Sequence, residues 1–99
     1  MYRYIRTATV KTAAQLPAAI AFAAQVTAQL NSRYTLNMRF GVEQFGRGRI
    51  HWHFDADSLD AMQKINAQLM EDRDYIALLD KFKDTWVEGS MRDTLVRLV

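Results

Sequence analysis

The chain has 99 residues, 49% hydrophobic and 11% aromatic, which is typical of one globular domain. Thirteen basic and eleven acidic residues leave a net charge of +2 without a basic run, so we expect no nucleic-acid partner. The absence of cysteine excludes disulfides, thiolate metal sites and a cysteine nucleophile. Because the sequence shows neither a signal peptide nor an apolar run long enough to cross a membrane, we expect a cytoplasmic protein without a membrane partner.

The first third of the chain predicts a strand followed by a helix. Residues 2–11 favour a strand because they are rich in Tyr, Thr, Ile and Val and contain neither Gly nor Pro. Pro17 is tolerated only in the first turn of a helix, so residues 12–15 are a connector and residues 16–32 form the helix. Its apolar stripe consists of Ala19, Phe22, Ala23, Val26 and Leu30.

The clearest pattern lies in residues 35–55, where apolar and polar side chains alternate on both sides of a glycine-containing turn. Successive side chains of a strand point to opposite faces, so the even-numbered residues predict a core face and the odd-numbered residues a polar face. A three-residue loop at 46–48 keeps apolar residues opposite each other and predicts a left-handed Gly48. The resulting cross-strand pairs are Val42–Trp52, Glu43–His51, Gly41–His53 and Arg39–Asp55.

The remaining residues predict helical structure and a last strand. Asp57 or Ser58 is a suitable N-cap for a second helix, and Asp72 is a suitable N-cap for a further helical stretch. Gly89 ends the helical region, and residues 92–99 form the last strand. The order strand, helix, strand, strand, helix, strand indicates one ferredoxin-like α+β domain over residues 1–99, with a four-stranded antiparallel sheet and its helices on one face.

The other face of such a sheet is left bare. The aromatic residues Tyr2, Tyr4, Phe45 and Trp86 leave more aromatic surface than the helices would cover. An uncovered, partly aromatic sheet face usually meets a partner. We therefore expect a homodimer in which two copies pack sheet to sheet, forming an α+β barrel that encloses the polar residues of both.

Two segments carry a resemblance to a known family. Residues 4–11 read YIRTATVK and residues 72–79 read DRDYIALL. The first resembles the opening strand of NIPSNAP proteins, and the second is similar to the Asp-Pro-Glu-Tyr helix start of that branch. The branch belongs to the dimeric α+β-barrel superfamily, which also includes antibiotic-biosynthesis-type monooxygenases. The resemblance implies the same ferredoxin-like fold and a homodimer.

The polar face carries the side chains that could bind a metal ion or act in acid–base catalysis. His51 and His53 lie two residues apart on it, and Glu43 is expected opposite His51. Two imidazoles and a carboxylate could hold a metal ion, but a hydrated dimer interface explains the same residues, and we predict no metal. An imidazole that titrates near neutral pH could instead act as a general base.

The same face predicts a pocket for a small aromatic or acidic molecule. Arg6 would share this face if the first strand runs beside the third, and together with Asn37, Arg39 and Glu43 it would form the binding residues. A guanidinium binds a carboxylate or an enolate well. Ligand binding without turnover is therefore the leading interpretation, and a structural dimer module without a ligand is one alternative.

The resemblance implies a second alternative, an enzyme. It would be a cofactor-independent monooxygenase or an isomerase that acts on a phenolic or enolisable substrate. His51 or His53 would abstract a proton, and Arg39 would stabilise the resulting anion. Such a mechanism uses no flavin, metal or other cofactor, and we predict none.

Overall fold

The fold is a ferredoxin-like α+β domain, in a computed structural model that describes residues 1–43 and 45–99. Within these residues, four strands form one antiparallel sheet in the order β2-β3-β1-β4. The strands are β1 (Tyr2–Thr9), β2 (Arg39–Val42), β3 (Arg49–Ala56) and β4 (Arg92–Arg97), and the helices are α1 (Leu16–Tyr34), α2 (Leu59–Glu71) and α3 (Arg73–Lys81). The predicted fold class and order of elements are confirmed.

The helix starts follow the predicted local signals. Pro17 lies in the first turn of α1. The Ser58 hydroxyl caps α2 by accepting a hydrogen bond of 3.1 Å from the amide of Ala61, so Ser58 rather than Asp57 is the cap. Asp72 caps α3 as predicted, through hydrogen bonds from two backbone amides. Each cap satisfies amides that a helix leaves without an internal partner.

The second strand is shorter than predicted. Helix α1 continues to Tyr34 instead of ending at residue 32, and Thr35 then adopts a left-handed φ of 55°. The Asn31 side chain forms two hydrogen bonds with the backbone of Met38, of 2.6 and 2.9 Å. These bonds take the place of strand pairing, and regular pairing therefore begins only at Arg39.

The predicted hairpin register is wrong by two residues. The observed pairs are Arg39–His53, Phe40–Trp52, Gly41–His51 and Val42–Ile50. A shift of two residues leaves every side chain on its predicted face, so the alternation of polarity cannot distinguish the two registers. The connection is also longer than the predicted three residues, and Gly46, not Gly48, has the positive φ, of 105°.

The core lies between the helices and the even-numbered face of β3. All five residues of the predicted α1 stripe are buried, and so are Ile50, Trp52 and Phe54. Phe22 stands at the centre of an aromatic cluster, with ring centroids 5.2 Å from Phe82, 5.6 Å from Trp86 and 6.0 Å from Trp52. This cluster joins α1 to the sheet and to the segment that follows α3.

Two parts of the sheet remain uncovered. The odd-numbered residues of β3 face away from the helices, and all six residues of β4 are exposed at the edge of the sheet.

Among the described residues, no helix has the length and apolar character needed to cross a membrane.

Candidate functional site

Strand pairing divides the predicted site residues between the two faces of the sheet. Thr7 pairs with His51 and Ile5 with His53, so these residues share the open face. Arg6 pairs with Trp52, and directly paired residues point to the same side of a sheet. The prediction that Arg6 shares the face of the histidines is therefore wrong: Arg6 lies on the helix-covered face.

The ion pairs of the open face also differ from the predicted ones. Asp55 accepts hydrogen bonds of 2.8 and 3.1 Å from Arg3, and the predicted pair with Arg39 does not form. Glu43 lies 3.0 Å from the Arg49 guanidinium and 3.5 Å from Nε2 of His51. The expected contact between Glu43 and His51 is thus present, but Arg49 is the closer partner because it stands opposite Glu43 in the shifted register.

The remaining predicted site residues lie on an open surface and not in a closed pocket. Arg39 is exposed opposite His53, and Asn37 is exposed in the left-handed turn before β2. In the described part of the chain, no three histidine or acidic side chains come close enough together to hold a metal ion. Any ligand on this face would need a second surface to enclose it.

A cavity of about 850 Å³ lies on the opposite, helix-covered side of the sheet. Its volume falls within the range of roughly 300–1,000 Å³ found for small-molecule sites. Exposed side chains such as Met91 and Leu95 also border it, so the cavity reaches the protein surface. Its apolar walls include Phe22, Trp52, Phe54, Met62, Leu69 and Trp86.

Four polar residues meet in the cavity wall. The Arg6 guanidinium donates hydrogen bonds of 2.8 and 3.0 Å to the two carboxylate oxygens of Asp93, its neighbour on β4. A third nitrogen of Arg6 donates to the Tyr75 hydroxyl at 3.4 Å, and the guanidinium carbon lies 5.8 Å from the centre of the Tyr4 ring. This polar group is made by β1, β4 and α3 together.

The local environment fixes the charge states of this group. Burial, reinforced by the Asp93 carboxylate, raises the pKa of Tyr4 well above its usual value, so its hydroxyl stays protonated. The hydrogen bonds from Arg6 hold the pKa of Asp93 below its usual value, so Asp93 is ionised. The cavity wall therefore combines one ion pair with two phenolic hydroxyls.

Asp72 positions one of these hydroxyls from outside the cavity. Its buried carboxylate accepts hydrogen bonds of 2.7 Å from Arg33 and 2.5 Å from the Tyr34 hydroxyl, both at the end of α1. The same carboxylate accepts a hydrogen bond of 3.1 Å from the backbone N–H of Tyr75. The start of α3 is thus tied to α1, and Tyr75 is directed towards Arg6.

The sequence predicted Arg6 as a binding residue but did not indicate Tyr75 or Asp93. It also placed Tyr4 on the bare face, whereas pairing with Phe54 puts Tyr4 on the helix-covered face. The pattern of β1 and β4 did not single out Arg6 and Asp93, because each strand contains several other polar residues. The bond between them joins residues 87 positions apart, and it became visible only once β1 and β4 were paired.

The fold places the chain among ferredoxin-like α+β proteins. No protein-family model and no curated protein sequence matches it. It is similar to a NIPSNAP family protein of unknown function from Agrobacterium tumefaciens, with 21% identity over 97% of this chain and 86% of that one and a TM-score of 0.80. A putative antibiotic biosynthesis monooxygenase from Deinococcus radiodurans is 11% identical over 100% and 93%, with a TM-score of 0.75.

A dimeric ferredoxin-like protein from an uncultured marine organism is also similar, with 19% identity over 100% of this chain and 95% of that one and a TM-score of 0.73. These likenesses confirm the predicted resemblance at the level of the fold. At such identities they carry no activity over to this chain.

Proposed function

We propose that the protein binds a small, largely apolar organic molecule in the cavity between its helices and its sheet. The observation that supports this most strongly is the cavity itself, about 850 Å³ in volume and walled mainly by aromatic and aliphatic side chains. A few converging polar groups in an apolar pocket are the usual arrangement of a ligand site. Arg6, Asp93, Tyr4 and Tyr75 provide those groups, and they fix the orientation of the bound molecule.

A matched pair of arginine variants tests this proposal. Thermal-shift screening with aromatic acids, quinols, ketones and fatty acids first selects the tightest probe. Arg6→Gln should then weaken the binding of that probe by about tenfold or more, because it leaves the Asp93 carboxylate in the cavity wall without its ion-pair partner and removes the hydrogen bond that holds the Tyr75 hydroxyl. Arg3 lies on the same strand as Arg6 but on the open face, where it donates two hydrogen bonds to Asp55. Arg3→Gln should therefore leave the affinity unchanged. Equal effects of the two variants would place the ligand elsewhere.

We also propose that the open face joins two copies of the chain. This face carries Ile5 and Val96 among its polar residues, and none of the helices in the described part of the chain covers it. The similar structure described as dimeric shares the fold. A sheet with one solvent-facing side containing apolar residues is stabilised when a second copy covers it.

Light scattering after gel filtration should give twice the chain mass of 11.4 kDa. Ile5→Lys should shift the protein to the monomer, because the new charge would be buried between the copies. Ile20→Lys is the matched control, since Ile20 is already exposed on α1 and its replacement should leave the dimer intact. A wild-type protein that stays monomeric at micromolar concentration would contradict the proposal.

An enzyme that uses the histidines would need its active site outside the cavity. His51 and His53 lie on the opposite side of the sheet, so they cannot take a proton from a molecule held beside Arg6 in the same chain. A catalytic role for either histidine stays a prediction, and it would need a site enclosed where two open faces meet. A purely structural module is not favoured, because the cavity is far larger than the roughly 30 Å³ that one water occupies.

A further inference from the structure

The charged side chains that line the cavity balance each other. Among the described lining residues there are three cations and three carboxylates: Arg6, Lys11, Lys83, Asp84, Glu88 and Asp93. The two lysines, Asp84 and Glu88 are exposed, whereas the side chain of Arg6 is only 25% exposed. The least exposed charge of the lining is therefore the Arg6 guanidinium, and the side chain of its partner Asp93 is 41% exposed.

This ion pair leaves little for an anionic ligand to bind. Two nitrogens of Arg6 already donate to both carboxylate oxygens of Asp93, at 2.8 and 3.0 Å. A ligand carboxylate placed here would compete with Asp93 for the guanidinium and would be repelled by it. It would also lose part of its hydration against apolar walls, and the desolvation of a charge is costly unless a partner compensates for it.

The Tyr75 hydroxyl offers a better match to an uncharged group. The Tyr75 hydroxyl accepts a hydrogen bond from Arg6, and among the described residues it has no acceptor for its own proton. Tyr4 is half-buried in the same wall, but its protonated hydroxyl already interacts with the Asp93 carboxylate, so Tyr75 has the hydroxyl proton that a ligand can use. A phenolic hydroxyl can donate to a carbonyl or ether oxygen of a ligand without bringing a second charge into the cavity.

We propose that the cavity selects an uncharged molecule, with an aromatic or aliphatic body and a carbonyl-type oxygen, over the corresponding carboxylate, because the Arg6–Asp93 pair already neutralises the wall. This narrows the ligand class predicted from the sequence, which included acidic molecules. It rests on the proposed function, namely that the cavity binds a small molecule.

Methyl naphthyl ketone and naphthoate test this selection, because they have nearly the same shape and differ in charge. Affinities measured by tryptophan fluorescence at neutral pH should favour the ketone by about tenfold or more. Equal or tighter binding of naphthoate would overturn the inference while leaving the cavity proposal intact. If neither compound nor any member of the wider panel binds, the proposed function itself fails.

Asp93→Asn supplies a second test through a switch of charge. The variant leaves Arg6 without its carboxylate, so the preference should move towards naphthoate by about tenfold or more relative to the wild type. Asp55→Asn breaks the corresponding pair with Arg3 on the open face, and it should leave the ratio of affinities unchanged. An unchanged ratio in a folded Asp93→Asn variant would contradict the inference. If circular dichroism shows that this variant is unfolded, the wild-type ratio decides.

Discussion

Replacement of Phe22 by alanine should lower the free energy of unfolding by about 3–5 kcal/mol. The Phe22 ring is buried and contacts three other aromatic side chains, so its removal deletes buried apolar area and leaves a void. The void would open beside the ligand cavity, since Phe22 also belongs to its wall. Urea unfolding followed by circular dichroism measures the change.

Phe45→Ala is the matched control for this substitution. Phe45 is 88% exposed in the connection between β2 and β3 and should change stability by less than about 0.5 kcal/mol. Similar losses for the two variants would mean that the aromatic cluster does not hold α1 against the sheet.

Asp72→Ala should lower the free energy of unfolding by about 2–3 kcal/mol, the second largest effect expected. The carboxylate is 3% exposed and serves both as the N-cap of α3 and as the acceptor for Arg33 and Tyr34 at the end of α1. Loss of a cap costs about 1 kcal/mol, and loss of the charge-assisted hydrogen bonds from Arg33 and Tyr34 adds to that cost. Asp57→Ala is the control, because Asp57 is exposed and accepts no side-chain hydrogen bond among the described residues.

The same carboxylate makes stability depend on pH in a defined direction. The hydrogen bond from Tyr34, with those from the Tyr75 amide and Arg33, lowers the pKa of Asp72 to about 2. The pKa in the unfolded chain is about 4, so the stabilisation is complete above that pH and is lost as the pH falls through about 2. The stability difference between wild type and Asp72→Ala should therefore shrink over this range. A difference that stays constant from neutral pH to pH 2 would show that the charge of Asp72 is not involved.

Local and periodic features of the fold were accessible from the sequence. The apolar stripe of α1, the caps at Ser58 and Asp72, and the alternation along β3 each depend on neighbouring residues, and each was confirmed. The hairpin register could not be determined from the sequence, because a shift of two residues preserves the alternation of polar and apolar side chains. The end of α1 was missed because the bonds from Asn31 to Met38 depend on a turn that the residue pattern did not indicate.

The cavity was harder to predict from the sequence than the fold. The first strand has no strict alternation of polar and apolar residues, so its sequence could not assign Arg6 to a face; pairing with Trp52 decides it. The partners Tyr75 and Asp93 reach Arg6 from α3 and β4, after the chain has passed through most of the domain. Sites formed by such distant segments depend on packing, which composition and periodicity do not encode.

Heteronuclear NMR titration of the protein with methyl naphthyl ketone tests the location of the binding site most directly. Trp52 and Trp86 line the cavity, and the indole nitrogen of Trp52 is buried without an acceptor among the described residues, so both indole signals are sensitive reporters. The ring signals of His51 and His53 report on the open face. We predict saturable shifts of the two indole signals with the histidine signals unmoved. Shifts confined to the histidines would place the ligand on the open face and contradict the proposed cavity site.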